Sequence, residues 1–285
     1  MDLLVINTLN GLSWGMLLFL IAMGLTTIFG VAGVLNFAHG ALFMLGAYAC
    51  MAVAGWTGSF WWGLLAAPLV VGLIGAVIES GLLRRVYGRD VSYQLLLTFA
   101  LLLVLEDGIR LLWGPGNHVV DPPALLRGSV AVAGYTFPVY RLFLVLLGPV
   151  LGGGLWAFFS HSRWGRVIRA AASDREMASG VGIAVPRLFT GVFVFGTALA
   201  ALGGALAAPY QSVGPAMGER VIIESFIVVV VGGLGSFPGA FVGALLLGLL
   251  EGFGTQVMPR AQMAMPYLLL TVILVVRPRG LFGEA

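Results

Sequence analysis

The pentapeptide Gly11-Leu12-Ser13-Trp14-Gly15 has the G-x-S-x-G form that presents a serine nucleophile on the strand-to-helix turn of an α/β hydrolase, with His39 imaginable as its base. Here it opens a long apolar run instead, where no such turn fits, so the match is read as chance. The three histidines and the single cysteine, Cys50, form no pair at metal-ligand spacing. No catalytic residue and no metal site are expected. The chain contains no lysine, which excludes a GxxxxGK[ST] phosphate loop and the Schiff bases that retinal and pyridoxal phosphate require. Any ATP that drives this protein must be hydrolysed by a partner.

Other polar residues could act on a small solute. Asn36 and His39 sit in a glycine-rich interruption between apolar runs, where a carboxamide and an imidazole can each donate and accept. Polar groups at membrane depth are functional candidates by default, although both could equally satisfy carbonyls freed by the interruption. Ser236 offers one hydroxyl in a second interruption and carries less weight. Glu79, Glu106 and Asp107 lie near the ends of apolar runs, within reach of Arg84, Arg85 and Arg110, and are read as ion-pair partners. Glu251 follows the second interruption on a glycine-rich run and is a candidate gate or docking contact. A proton relay would need several carboxylates at depth, and the sequence supplies few.

Of the 285 residues, 60% are hydrophobic and 9% charged, and the mean hydropathy is +1.03. Soluble domains carry about 25% charged residues. Apolar runs of about 20 residues, the length needed to cross a bilayer, follow one another almost without pause. The sequence therefore reads as one all-α membrane domain, a polytopic bundle of 8–9 segments. Spans are expected at about 11–30, 40–56, 62–83, 93–113, 141–160, 188–209, 222–235, 239–257 and 263–277, the seventh too short to cross comfortably. The net charge of +3 reflects arginines at run ends rather than a nucleic-acid surface. Nothing basic precedes Arg84, so the first run lacks the charged flank of a cleavable signal peptide and is expected to be retained. A lone cysteine allows no intrachain disulfide.

Arg84, Arg85, Arg89, Arg163, Arg166, Arg169, Arg175, Arg187, Arg277 and Arg279 fall on one side of this arrangement. Arg110, Arg127, Arg141, Arg220 and Arg260 fall on the other. The positive-inside rule puts the larger group in the cytoplasm, the N-terminus outside and the C-terminus inside. Two uncharged, glycine-rich junctions, FGVAGVLNFAHG (29–40) and GGLGSFPG (232–239), are expected to be helix breaks or re-entrant turns at membrane depth, where they must be buried in protein or line a wet cavity. Gly33, Leu35, Gly40 and Ala41 share the spacing of Gly232, Leu234, Gly239 and Ala240, a weak internal repeat. Gly11/Gly15, Gly148/Gly152, Gly239/Gly243 and Gly248/Gly252 are spaced for close helix packing.

The loop at about 161–187 is too polar to span. Good helix formers run from Ile168 to Ser179, and Gly180 and Gly182 suit a helix stop. A short helix here could face a partner, or the loop could be a solvated connection whose arginines fix topology. The longest loop on the outer side runs at about 114–140.

The stretches GLTTIFGVAGVLNFAHGALFMLGAY (24–48), RAAASDREMASGVGI (169–183), VVVVGGLGSFPGAFVGALLLGLLE (228–251) and RPRGLFG (277–283) resemble, in order along the chain, the branched-chain amino acid ABC importer permeases of the LivH type. The resemblance implies a multi-pass permease of the bacterial inner membrane, residues 1–285 forming one transmembrane permease domain. It implies that the polar loop docks on an ATPase subunit, with Arg169, Ala171, Ala172, Ser173, Asp174, Glu176, Gly180 and Gly182 as the coupling residues. The implied partners are a second homologous permease, two ATP-binding cassette ATPase subunits that hold ATP and Mg, a periplasmic substrate-binding protein and the lipid bilayer. Asn36, His39, Ser236 and Glu251 are the candidates for the substrate pathway. Relatives of this kind carry branched-chain amino acids, urea or short amides, and a stand-alone small-solute channel built around the two breaks is the rival reading.

Overall fold

The computed structural model describes residues 2–132, 134–257 and 259–283. A helix stands at each of the nine expected spans: α1 (Asp2–Ala32), α2 (Ala38–Thr57), α3 (Phe60–Gly81), α4 (Val91–Trp113), α5 (Val139–His161), α8 (Val185–Ala207), α9 (Met217–Gly232), α10 (Phe237–Val257) and α11 (Met265–Val276). Two shorter helices, α6 (Arg163–Ser173) and α7 (Arg175–Gly180), lie between α5 and α8. Six helices among the described residues, α1, α2, α3, α5, α8 and α10, are long and apolar enough to cross a membrane. The remaining three of the nine fall short for different reasons. α4 has the length but carries Glu106, Asp107 and Arg110, α9 has 16 residues and α11 has 12.

The expectation of an all-α chain needs one correction. The 114–140 loop folds into an antiparallel hairpin, β1 (Ser129–Val132) on β2 (Tyr135–Pro138), with Val130 opposite Phe137 and Ala131 opposite Thr136. β-branched and aromatic residues favour the pleated surface, and Gly134 supplies a positive φ of 81° at the turn. Phe137 tucks beneath the hairpin, 1% exposed.

α1 is the axis of the bundle, buried along most of its length against α10, α8, α5 and α9. Lipid is as apolar as leucine, so helices associate in a bilayer through close packing rather than through exclusion from water. The glycine pairs serve this purpose. A Cβ on Gly11 would lie 2.7 Å from the Gly248 carbonyl oxygen, and one on Gly15 would lie 2.9 Å from that of Ala244, so α1 and α10 touch backbone to backbone. Gly243 meets Val228 of α9 in the same way, while Gly148 and Gly152 receive Met16 and Phe19. The Gly11–Gly15 pentapeptide lies inside α1, and the Ser13 hydroxyl donates to the carbonyls of Leu9 (2.7 Å) and Arg141 (3.1 Å). That is a helix-packing serine, not a nucleophile elbow.

Candidate functional site

Both glycine-rich junctions are breaks. α1 stops at Ala32 where Gly33, with φ of +65°, donates its N–H to the Phe29 carbonyl at 2.8 Å. The chain then runs without helix until α2 begins at Ala38. His39 Nε2 lies 3.2 Å from the Ile21 carbonyl oxygen. A carbonyl can only accept, so Nε2 carries the proton. At about 1.5 Å of rise per residue, Ile21 stands roughly 16 Å from the end of α1. The broken segment therefore climbs back alongside α1 and starts α2 deep in the bundle, the re-entrant course expected from its uncharged composition. On the way the Leu35 carbonyl accepts from the Thr98 hydroxyl of α4 (3.3 Å), and Phe37 packs against Phe226 and Phe99. Asn36 and His39 are both fully buried, and the Asn36 carboxamide and His39 Nδ1 find no hydrogen-bond partner among the described residues.

The second break follows α9. Gly233 (φ +106°) and Gly235 (φ +83°) turn the chain into α10. The Ser236 hydroxyl accepts from the Gly239 N–H at 3.1 Å, so this candidate solute contact is occupied in starting α10. The carbonyls of Val231 and Gly232, left open by the end of α9, accept the N–H groups of Leu281 (2.8 Å) and Phe282 (2.9 Å) from the tail after α11. A Cβ on Gly30 would meet Gly235 at 3.7 Å. The second break thus rests against the last turns of α1, next to the start of the first.

The polar loop sits beneath the first break. Its expected single helix from Ile168 to Ser179 is two helices. Asp174 is extended (φ −151°, ψ 109°), closes α6 through its N–H to the Ala170 carbonyl, and caps α7 by accepting the Met177 N–H on Oδ1 at 2.9 Å. An aspartate so placed competes with the helix for backbone groups, which splits an otherwise continuous pattern of helix formers. Ser162 caps α6 through the Gly165 N–H. Ile168, Ala171 and Ala178 are buried against Val31, Leu188, Phe189 and Val192. Arg175 lies over the Phe189 ring at 5.2 Å and abuts Gly33.

The residues singled out in this loop therefore divide. Ala171 faces inward, and Arg169 donates back to the Phe159 carbonyl of α5. Asp174 is the hinge between the helices. Ala172, Ser173, Glu176, Gly180 and Gly182 are exposed. Met177 and Val181, 66% and 72% exposed, were not singled out from sequence and stand on the same short stretch.

Glu251 lies near the opposite end of the bundle, apart from Asn36, His39 and Ser236. It lines a cavity of about 270 Å³ together with Asn10, Trp14, Arg141, Tyr210, Arg220 and Gln262. Glu251, read from the sequence as a gate or docking contact rather than as an ion-pair partner, does meet a cation. Arg220 Nη2 stands 3.7 Å from Glu251 and Arg220 Nε stands 2.8 Å from Glu224. Glu224, which sequence reasoning passed over, is 6% exposed and also accepts from Trp14 Nε1 at 3.1 Å. An arginine and a glutamate four residues apart inside an apolar run were the signal that could have found it. The other carboxylates pair as expected: Glu79 with Arg84 (3.0 Å), and Glu106 and Asp107 with Arg110 (2.5 and 3.4 Å).

Residues 7–276 match the family model described as the permease component of branched-chain amino acid transport systems. The chain is 31% identical over 96% of its length to the high-affinity branched-chain amino acid transport system permease protein BraD of Pseudomonas aeruginosa, covering 94% of that protein. It is 32% identical over 96% of its length to the LivH permease protein of Escherichia coli K12, again covering 94%. A solved structure, PsaBC from Streptococcus pneumoniae in complex with Fab, aligns over 94% of this chain and 89% of that one, with a TM-score of 0.47 and 16% identity.

Proposed function

Because the chain belongs to the permease-component family of branched-chain amino acid transport systems, we propose that it carries branched-chain amino acids inward across the bacterial inner membrane. As a permease subunit of an ABC importer it is a transport protein, not an enzyme. In this reading the whole chain acts as one transmembrane domain, with its N-terminus periplasmic and its C-terminus cytoplasmic. It pairs with a second homologous permease, two ATPase subunits that bind ATP and Mg, and a periplasmic binding protein that delivers the amino acid.

The observation that carries the reading is the construction of α6 and α7. Their buried faces are fixed to α8 and to the end of α1, while Glu176, Met177, Gly180 and Val181 project outward at the arginine-rich end. A surface so mounted transmits a push from an ATPase partner directly to the first break, through Arg175 at Gly33. A tilt of α7 then moves the segment that positions Asn36 and His39, which we place in the substrate pathway. Transmission of this kind needs a discrete packed element with two arrangements rather than a flexible loop.

The test is uptake of radiolabelled leucine by proteoliposomes that hold the assembled importer, with binding protein outside and ATP inside. Glu176→Arg and Gly180→Trp are expected to lower uptake per ATP hydrolysed by about tenfold or more, within the usual range of coupling between sites, while the subunits still co-purify. Unchanged uptake in both variants removes the docking role of α7. Equilibration of leucine by this chain alone, without ATP or binding protein, overturns the importer reading.

A further inference from the structure

The cavity lined by Glu251 holds charges that the helix packing does not need. Arg220 is shared between Glu224 at 2.8 Å and Glu251 at 3.7 Å, and Glu251 also makes side-chain hydrogen bonds with Glu224 and Trp14, so two carboxylates face one arginine. Arg141, at the start of α5, has no carboxylate partner among the described residues. It donates to Asn10 Oδ1 at 2.5 Å, and its guanidinium stands over the Tyr210 ring at 4.8 Å. A guanidinium in a fork geometry with donors to spare is suited to a carboxylate. Trp14 and Tyr210, stacked with centroids 5.7 Å apart, add apolar surface to the same wall. Two carboxylates that share one arginine, a second arginine without a carboxylate partner among the described residues, and an aromatic wall thus line an open cavity of about 270 Å³. Pockets for drug-sized ligands start at about 300 Å³, so this one suits a single small solute.

We propose that this cavity binds a zwitterionic α-amino acid, with its α-carboxylate against Arg141 and its α-ammonium against Glu251. Glu224 is a positioning residue that shares Arg220 with Glu251 and fixes Trp14 through Nε1. The site lies at the end of the bundle that holds the N-terminus, far from α6 and α7, and receives the solute before it reaches the first break. The inference rests on the amino-acid reading above and adds to it the groups that recognise the amino-acid backbone whatever its side chain.

The experiment measures binding of radiolabelled leucine to the assembled permease and ATPase complex in nanodiscs, with the binding protein left out, beside ATP-driven uptake by the complete importer. Unlabelled leucine and other zwitterionic amino acids are expected to displace the label. Leucinamide, which lacks the carboxylate, and 4-methyl-2-oxopentanoate, which lacks the ammonium, are expected to compete about tenfold or more weakly, as is usual when one partner of a desolvated charge pair is removed. Arg141→Gln and Glu251→Gln should each weaken binding by a similar factor, and Arg141→Lys should retain part of it. Displacement by the amide and the oxo acid as effective as by leucine overturns the proposal, and that comparison uses only the native protein, so it stands even if a variant fails to assemble. Uptake by the complete importer without any binding to the complex removes this site and leaves the importer intact. Failure of the complete importer to take up any amino acid removes the substrate reading itself.

Discussion

Asp174 ends α6 and begins α7 with one side chain, so its value is in geometry more than in charge. Removing an aspartate N-cap costs about 1 kcal/mol, whereas asparagine serves the position equally well. Asp174→Ala is therefore expected to lower coupled uptake several-fold and Asp174→Asn to keep it; equal damage by both would show that the carboxylate charge matters to the partner. The sequence signalled this residue through its neighbours but not its role, because a run of helix formers conceals a hinge when the hinge residue is polar and exposed anyway. Carboxylates near run ends were legible, since Glu79, Glu106 and Asp107 had arginines within one turn or so. Glu224 was passed over although Arg220 stands four residues before it, because its other contact, Trp14, comes from a helix distant in sequence and leaves no trace in the local pattern. Arg141 was legible only as a topology marker for the same reason.

α1 and α10 meet along a seam of small residues, and here the sequence was informative. Glycines at four-residue spacing announced close packing, and the structure shows Gly11 and Gly15 set against Gly248 and Ala244. A side chain at Gly248 would drive into the backbone of Gly15, and overpacking of this kind costs about 1–3 kcal/mol. Gly248→Leu is expected to lower the apparent melting temperature of the complex by several degrees. Gly153→Leu, where a Cβ meets nothing within 4 Å, should leave it nearly unchanged. If the two variants melt alike, the seam is not what holds these helices. The two breaks were legible for a similar reason, since clustered glycine without flanking charge suits neither a continuous span nor a cytoplasmic loop. Their proposed repeat is less exact than their spacing suggested. Gly33 has positive φ, whereas its counterpart Gly232 is still helical and Gly233 makes the turn. The hairpin in the 114–140 loop was missed because each strand is only four residues long.

At the scale of the molecule, apolar run length located a helix at each of the nine expected spans, six of which, among the described residues, are long and apolar enough to cross on their own. The orientation rests on the arginine asymmetry and has a direct test, since the chain has one cysteine and Cys50 is fully buried between helices. Leu125→Cys and Asp90→Cys place reactive thiols at exposed positions at opposite ends of the bundle. A membrane-impermeant maleimide should label the first in intact spheroplasts and the second only after lysis; the reverse pattern inverts the topology and with it the assignment of both loops. The tail that closes the second break adds a constraint of order. The carbonyls of Val231 and Gly232 have no backbone partner until Leu281 and Phe282 arrive, and those residues are made only after α10 and α11. The break between α9 and α10 therefore gains these two hydrogen bonds only once the tail has been made, as a zip fastener is locked by its slider rather than by its teeth.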